Sequence, residues 1–315
     1  MREDLSDIGH GGGSRERIGM EHLILRTPAK VNLYLEVRGV FEDGTHELST
    51  VFQEVDLCDI VTVEPARSLE VRCVPDVVGE PESNTAYRAA VAFSGIVGRH
   101  PGVRITIEKR IPDGAGLGGG SSDAAAVIVA LAKVWGEDPV GQDALAAAKA
   151  VGADVPFFLF GGAGLFGGRG DELLRRMPPL EAPLVLVSQG QSISTALAYS
   201  AFDASPSGSA EGPPDVGEIV SALEAGDASR VAASLRNDLG PIARRLCPKV
   251  EETASWIVEQ PGVLGAQVTG SGAAVFAVAD SAEAAERIAQ SARSLGWWSV
   301  VANPRSAGVE FLEER

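Results

Sequence analysis

Hydrophobic and polar residues alternate over residues 22–38, as in a β-strand with two different faces. One face carries Val31, Leu33, Leu35 and Val37, and the other carries Lys30, Asn32, Tyr34 and Glu36. Successive side chains of a strand point to opposite sides, so Lys30 and Asn32 project together. The pattern predicts a strand that packs its apolar face on a core. A lone lysine on such a strand ordinarily extends to solvent, so the pattern alone assigns Lys30 no chemistry.

The remaining periodicity predicts a mixture of strands and helices. Strand patterns cover 48–64, 69–74 and 102–112, and helical patterns cover 84–97, a segment ending near Trp135, and 141–151. Ser121 or Ser122 is the predicted N-cap of the helix that ends near Trp135. From residue 217 the order is two helices, two strands around a glycine turn, a helix (281–295) and a strand (297–303). This order predicts an α+β sandwich with one sheet and helices on one face.

Two segments lack such a pattern. Residues 1–21 are polar and contain a glycine run, which predicts a disordered tail. Residues 203–216, DASPSGSAEGPPDV, are rich in proline, glycine and serine, which predicts a flexible insertion.

Length and charge narrow the function. A chain of 315 residues can form two domains. Its formal net charge of −16 disfavours nucleic acids and acidic membranes as partners, because it repels phosphate groups. No apolar run reaches the roughly 18 residues of a membrane span. Cys58, Cys73 and Cys247 are scattered without metal-ligand spacing, which predicts buried thiols in the reducing cytoplasm.

A glycine-dense stretch, PDGAGLGGGSSDAAA at 112–126, follows a predicted strand and enters a predicted helix. Glycines allow the backbone to approach a ligand closely, and successive N–H groups together with a helix N-terminus attract anions. No GK[ST] follows the glycines, which excludes a Walker A loop, and the GxGxxG match of GAGLGG is weak by itself. The stretch therefore predicts phosphate binding through backbone N–H groups, with a flexible connector as the alternative.

Three motifs in order resemble those of the GHMP kinases: TPAKVNLYLEVRGVFEDGTHELSTVFQ (27–53), the glycine stretch, and VTGSGAAVFAV (268–278). The resemblance implies a two-domain α+β fold, with a ribosomal protein S5-like N-terminal domain over 22–180 and a ferredoxin-like C-terminal domain over 181–315. It also implies ATP and Mg²⁺ as cofactors. The residues it assigns to ATP are Pro112, Asp113, Gly114, Ala115, Gly116, Leu117, Gly118, Gly119, Gly120, Ser121, Ser122, Asn84 and Lys109. Ser122 and Asp123 are the candidate Mg²⁺ ligands.

Within the superfamily, PAKVNLYL, DGTHEL and GADVPFF are similar to the kinases that phosphorylate the 2-hydroxyl of 4-diphosphocytidyl-2-C-methyl-D-erythritol. This narrower resemblance implies that Lys30 is the catalytic lysine and that Asp154 accepts the proton of the substrate hydroxyl. An adjacent lysine would keep Asp154 ionised. From the residues alone, Asp154 could equally cap the helix that follows it.

The same resemblance implies a substrate site, with the residues Asn32, Thr45, His46, Thr195, Tyr199, Gly270, Ser271 and Gly272. Those kinases usually have tyrosine where this chain has Thr45, so one aromatic wall for the cytosine ring is missing. His46 is kept, and Tyr199 is the expected second wall or, alternatively, a core tyrosine. Two alternatives therefore stay open: a GHMP kinase for a smaller alcohol such as homoserine or mevalonate, and a non-catalytic nucleotide-binding regulator. We expect a monomer or weak homodimer that acts on small molecules.

Overall fold

The structure is a computed structural model, which describes residues 22–75, 80–205 and 215–314. The predicted tail (1–21) and most of the predicted insertion (203–216) lie outside these ranges. Within the same ranges, no helix is long and apolar enough to cross a membrane.

The described residues form twelve strands and ten α-helices. The strands are β1 (Leu23–Val40), β2 (His46–Pro65), β3 (Glu70–Val74), β4 (Val103–Glu108), β5 (Ala163–Gly167), β6 (Glu172–Met177), β7 (Leu184–Ser188), β8 (Arg236–Asn237), β9 (Val263–Val268), β10 (Val275–Ala279), β11 (Trp298–Ala302) and β12 (Glu310–Glu314). The helices are α1 (Thr85–Val97), α2 (Gly119–Trp135), α3 (Gln142–Val151), α4 (Val155–Phe160), α5 (Thr195–Asp203), α6 (Val216–Glu224), α7 (Ala228–Ala233), α8 (Gly240–Leu246), α9 (Pro248–Val258) and α10 (Ala282–Ser294).

Most predicted elements are confirmed, and two local predictions are wrong. Helix α2 begins at Gly119 with Gly118 as its N-cap, so Ser121 and Ser122 lie inside the helix. The chain enters α2 with a φ of 75° at Gly118, a conformation that glycine adopts most readily, so no serine is needed as a cap. Between residue 216 and the paired strands there are four helices instead of two. Pro241 and Pro248 lie at the first or second position of α8 and α9, where proline favours the start of a new helix.

The prediction of one sheet with helices on one face is also wrong, because the described residues form two sheets. The eight-stranded sheet has the order β12-β1-β2-β4-β3, with β5 and β6 continuing from β2 and with β8 beside β1. The second sheet has the order β11-β7-β10-β9. Strands β7 and β10 are buried along their whole length, which requires cover on both faces. Periodicity shows which residues are buried but not which layer covers them.

Three hydrophobic cores separate the layers. Helices α1 to α4 pack on one face of the first sheet through residues such as Phe93, Ile128 and Phe157. The opposite face of that sheet meets the second sheet through residues such as Val31 and Phe276. Helices α9 and α10 cover the far face of the second sheet. The polar face of β1 is consequently enclosed, so the alternation of this strand does not mark a solvent face.

The C-terminal strand returns to the first sheet, where β12 pairs antiparallel with β1. The segment before it is held by Glu54, whose Oε2 accepts hydrogen bonds from Gly162 N at 2.8 Å and Gly308 N at 2.9 Å. A strand from the end of the chain thus completes the first sheet. The division into an N-terminal domain (22–180) and a C-terminal domain (181–315) stays a prediction. Burial raises the pKa of the Glu54 carboxyl to about 7, although these two N–H groups oppose the shift.

Glu54→Gln is expected to make the free energy of unfolding less dependent on pH. Between about pH 4.5 and pH 7 the folded protein keeps a proton that the unfolded chain has released, so stability falls as pH rises. Glutamine does not titrate, so the free energy of unfolding of the variant should not fall by the corresponding amount, about 3 kcal/mol between pH 4.5 and pH 7. Urea unfolding at several pH values measures it. The control is Glu47→Gln, at an exposed position on the same strand; equal slopes in both variants would contradict the prediction.

Candidate active site

A cleft of about 280 Å³ lies between the first sheet, the glycine loop and the turn that joins β9 to β10. It is lined by most of the residues expected to bind ATP or substrate: Lys30, Asn32, Lys109, Pro112, Asp113, Gly114, Ala115, Gly116, Leu117, Gly118, Gly119, Gly120, Ser121, Asp154, Thr195, Tyr199, Gly270 and Ser271. The other predicted residues lie outside this lining: Thr45, His46, Asn84, Ser122, Asp123 and Gly272.

Lys30 and Asp154 meet in the cleft, with Lys30 Nζ 3.4 Å from Asp154 Oδ2. The Lys30 side chain is 3% exposed, so it does not extend to solvent, whereas the Asp154 side chain is 34% exposed. Within the described structure, the Asp154 side chain makes no capping hydrogen bond to α4. The interpretation of Asp154 as only a helix cap is therefore wrong, and its carboxylate is available on the cleft side.

A chain of hydrogen bonds orients Lys30. Its Nζ donates to Asn32 Oδ1 at 2.6 Å, and Asn32 Nδ2 donates to Thr50 Oγ1 at 2.9 Å. Thr50 Oγ1 in turn donates to the carbonyl of Tyr34. Asn32 is 1% exposed, and its side chain is hydrogen-bonded to both Lys30 and Thr50. Thr50 also lines the cleft but was not predicted, because a threonine in a strand pattern has an ordinary structural role.

The glycine loop lies tightly against its neighbours. Gly116 has a φ of 78°, and a Cβ there would be 2.1 Å from the Thr269 carbonyl oxygen. Gly118 has a φ of 75°, and a Cβ there would be 2.9 Å from the Phe158 ring and 3.0 Å from Lys30 Cγ. The loop is fixed to β1 because Lys30 N donates to the Leu117 carbonyl at 2.9 Å. These contacts explain why larger residues are excluded at Gly116 and Gly118. They also contradict the alternative interpretation of the loop as a flexible connector.

The turn after β9 packs on the loop, since Thr269 Oγ1 donates to the Gly116 carbonyl at 3.2 Å. Asn237, in the two-residue strand β8, donates from Nδ2 to the carbonyls of Val268 and Gly270, both at 2.8 Å. Sequence reasoning missed Asn237, because a single asparagine between helices looks like an ordinary loop residue. At the cleft rim, Ser271 Oγ lies 3.2 Å from Thr195 Oγ1.

An aromatic pair lies beside the cleft. The rings of His46 and Tyr199 are stacked with centroids 4.4 Å apart, and His46 Nε2 is 2.8 Å from Asp203 Oδ1. Tyr199 lines the cleft, so it is not solely a core residue, and burial raises the pKa of its hydroxyl. Thr45 instead faces the neighbouring hairpin, where its Oγ1 accepts a hydrogen bond from Arg169 Nε at 2.7 Å. The structure therefore brings His46 and Tyr199 together and leaves Thr45 apart.

Two residues assigned to ATP have structural partners. Asn84 is the N-cap of α1, since its Oδ1 accepts from Ala86 N at 2.8 Å. Lys109 donates to Asp59 Oδ2 at 2.6 Å and to Asp123 Oδ2 at 2.8 Å. Burial disfavours the charge of Lys109, but the two carboxylates outweigh it and raise its pKa. Asp123 lies in the second turn of α2 and faces Lys109.

Comparison with known proteins identifies this arrangement. The GHMP kinases N terminal domain matches residues 84–162, and the GHMP kinases C terminal domain matches residues 219–296. A 4-diphosphocytidyl-2-C-methyl-D-erythritol kinase of Moorella thermoacetica is 42% identical over 274 residues, covering 86% of this chain and 94% of that protein. The chain belongs to this kinase family.

Solved structures agree with the assignment to the 4-diphosphocytidyl-2-C-methyl-D-erythritol kinase family. The crystal structure of a 4-(cytidine 5'-diphospho)-2C-methyl-D-erythritol kinase is 38% identical with a TM-score of 0.73, covering 89% of this chain and 99% of that one. A homoserine kinase from Cytophaga hutchinsonii also has a TM-score of 0.73, but at 20% identity it shows the fold alone. The predicted GHMP kinase fold and the use of ATP that it implies are confirmed.

The predicted Mg²⁺ ligands differ in how well they fit a cation. Ser122 Oγ is buried and has no hydrogen-bond partner among the described residues, so this hard oxygen is available. Asp123 already binds Lys109 and Thr27. The described ranges contain no group of three or more His, Cys, Asp or Glu side chains that could hold a metal. With Ser122 Oγ as the available donor, the site fits a Mg²⁺ that is bound mainly by the phosphates of ATP. It does not fit a cation held by protein side chains alone.

Proposed function

We propose that this chain transfers the terminal phosphoryl group of ATP to the 2-hydroxyl of 4-diphosphocytidyl-2-C-methyl-D-erythritol, in the non-mevalonate route to isoprenoid precursors. The observation that carries phosphoryl transfer is the Lys30–Asp154 contact of 3.4 Å beside the glycine loop. The name of the Moorella thermoacetica relative supports this acceptor.

In this proposal the hydroxyl oxygen of the acceptor forms a bond to the terminal phosphorus of ATP, and the bond from that phosphorus to the bridging oxygen breaks. ADP leaves, and the hydroxyl proton goes to Asp154. Lys30, in contact with Asp154, stabilises the negative charge on the transferred group. Most of the catalysis would come from positioning and charge neutralisation, as in other phosphoryl transfers.

The phosphates of ATP are expected to bind the N–H groups of the loop from Gly114 to Ser121 and the N-terminus of α2. This mode suits a chain with a net charge of −16, because a helix N-terminus carries a partial positive charge of about half a unit. Ser122 would hold Mg²⁺, which supplies additional charge neutralisation when bound.

We assign the cytosine ring of the acceptor to the His46–Tyr199 pair. The centroids of the two rings lie 4.4 Å apart, so the rings stack directly on each other with no space for a base between them. The ring of His46 must therefore leave the face of Tyr199 before a base can stack there. Thr195 and Ser271, at the cleft rim, would contact the remainder of the acceptor.

The two alternative functions are not favoured by the comparisons, and one assay separates all three. The purified protein is incubated with Mg-ATP and with each candidate alcohol, and ADP release is followed. We expect turnover with the cytidyl alcohol only. Turnover with homoserine or mevalonate instead would contradict the acceptor, and no turnover with any alcohol would favour a binding regulator.

We also propose that the enzyme works in the cytoplasm as a monomer or weak homodimer. All three cysteines are free thiols, which suits a reducing compartment. Cys58 is buried as expected, whereas Cys73 and Cys247 are partly exposed.

A further inference from the structure

Asp59 is a fully buried carboxylate of β2 that lies at the entrance of the glycine loop. Its Oδ1 accepts hydrogen bonds from the backbone N–H of Ile111, at 2.8 Å, and of Arg110. Its Oδ2 accepts from Lys109 Nζ at 2.6 Å. One side chain thus holds three consecutive residues immediately before Pro112, where the loop begins.

The exit of the loop is tied to the same ammonium group. Asp123, in the second turn of α2, accepts from Lys109 Nζ through Oδ2 and from Thr27 Oγ1 through Oδ1, at 2.8 and 3.1 Å. We call Thr27, Asp59, Lys109 and Asp123 the anchor cluster. Through it, the two ends of a flexible glycine loop are fixed to β1 and β2.

The anchor cluster lies beside the start of α2, where the phosphates of ATP are expected to bind. Lys109 Nζ is 3.2 Å from the position that a Cβ on Gly119 would occupy, at the first residue of α2. The Lys109 side chain is only 14% exposed, so most of its surface faces the cluster. A small shift of Lys109 would therefore move the N–H groups that face the phosphates.

The charges of the anchor cluster argue against a role in stability alone. Two buried carboxylates, those of Asp59 and Asp123, share the Lys109 ammonium beside a site for an anionic ligand. Buried ion pairs seldom add net stability, because desolvation offsets their attraction. Their value here lies in fixing one geometry for a segment that contains five glycines.

We propose that Asp59 is a positioning residue for the phosphate loop, and that Lys109 acts with it as one unit and not as an independent ligand of ATP. This inference rests on the proposed function only in taking ATP as the ligand. It concerns nucleotide binding, so it can be tested without an acceptor alcohol.

The test is a double-mutant cycle on nucleotide affinity. Asp59→Asn keeps an oxygen for the two backbone N–H groups and removes the charge that holds Lys109, and Lys109→Met removes the ammonium. Binding of a non-hydrolysable ATP analogue with Mg²⁺ is measured by calorimetry for both variants and for their combination. We expect each single variant to bind about tenfold more weakly and the double variant to match them within about threefold.

Two results would overturn the proposal: unchanged affinity in Asp59→Asn, or a double variant that loses about a hundredfold, as independent sites would. A failure of the proposed function is distinguishable, because it leaves analogue binding intact while no acceptor is phosphorylated.

A second pair of variants covers the case in which Asp59→Asn does not fold. Thr27→Val removes the hydroxyl that orients Asp123 with little change in shape, whereas Thr27→Ser keeps it. We expect Thr27→Val to weaken analogue binding about threefold and Thr27→Ser to retain wild-type affinity. Equal affinities in the two variants would refute the positioning role, because loss of a merely structural methyl group would affect Thr27→Ser instead.

Discussion

Asp154→Asn is expected to lower kcat by about 10³-fold with the cytidyl alcohol. Asparagine has the same shape as aspartate but cannot take up the proton of the acceptor hydroxyl, and it removes the charge paired with Lys30 at 3.4 Å. Affinity for a non-hydrolysable ATP analogue should stay within about threefold, because Asp154 lies immediately before α4 and not in the glycine loop. Steady-state kinetics and calorimetry on the same preparation measure both quantities.

The matched control for this prediction is Asp138→Asn, the same chemical change at an exposed turn outside the cleft lining. It should leave kcat unchanged. If Asp154→Asn kept kcat within tenfold of the unmodified enzyme, Asp154 would not be the proton acceptor.

Gly116→Ala is expected to weaken Mg-ATP binding more than tenfold. At a φ of 78°, an L-residue costs about 1–2 kcal/mol more than glycine. A Cβ would in addition lie 2.1 Å from the Thr269 carbonyl oxygen, so the loop or the turn after β9 must move. Because Thr269 packs on the glycine loop, which we propose to bind the phosphates of ATP, this displacement is expected to disturb nucleotide binding directly. The KM for ATP and the melting temperature are the measurements.

Gly136→Ala separates the two causes. Gly136 caps the C-terminus of α2 with a φ of 72°, nearly the same backbone strain, but a Cβ there would have no heavy atom within 4 Å. We expect a lower melting temperature and an unchanged KM for ATP in this variant. A similar KM for ATP in both alanine variants would show that the close approach of Thr269 has no part in nucleotide binding.

The position of Lys30 illustrates how far the sequence reaches. Alternation placed Lys30 and Asn32 on one side of β1, and the structure has them joined by a hydrogen bond of 2.6 Å. Alternation could not show that this polar side is enclosed. Its contacts are with Asp154 and Thr269, which lie more than a hundred positions further along the chain. The resemblance to GHMP kinases supplied a role for Lys30, and the fold supplied its burial.

Asn84, Lys109 and Asp123 show the opposite limit. Each lies at a position where a family motif suggests a ligand contact, yet each is hydrogen-bonded to a protein group. Asn84 accepts from Ala86 N, and Lys109 donates to Asp59 and to Asp123. Asp59 gave no signal, because an aspartate inside the strand pattern of 48–64 is indistinguishable in sequence from a solvent-facing residue. Such contacts depend on the register of the paired strands, because a shift of one residue would turn every side chain of a strand to the opposite face.

By itself, the sequence determined most of the local structure and indicated the class of ligand. The order of most strands and helices follows from side-chain periodicity, and five glycines at a helix entrance in an acidic chain predict phosphate binding through backbone N–H groups. Only the tertiary structure decided the presence of two sheets, the return of β12 to β1, the stack of His46 on Tyr199 and the anchor cluster. Periodicity and backbone freedom are properties of neighbouring residues, whereas burial, ion pairing and ring stacking are fixed by segments that meet only when the chain folds.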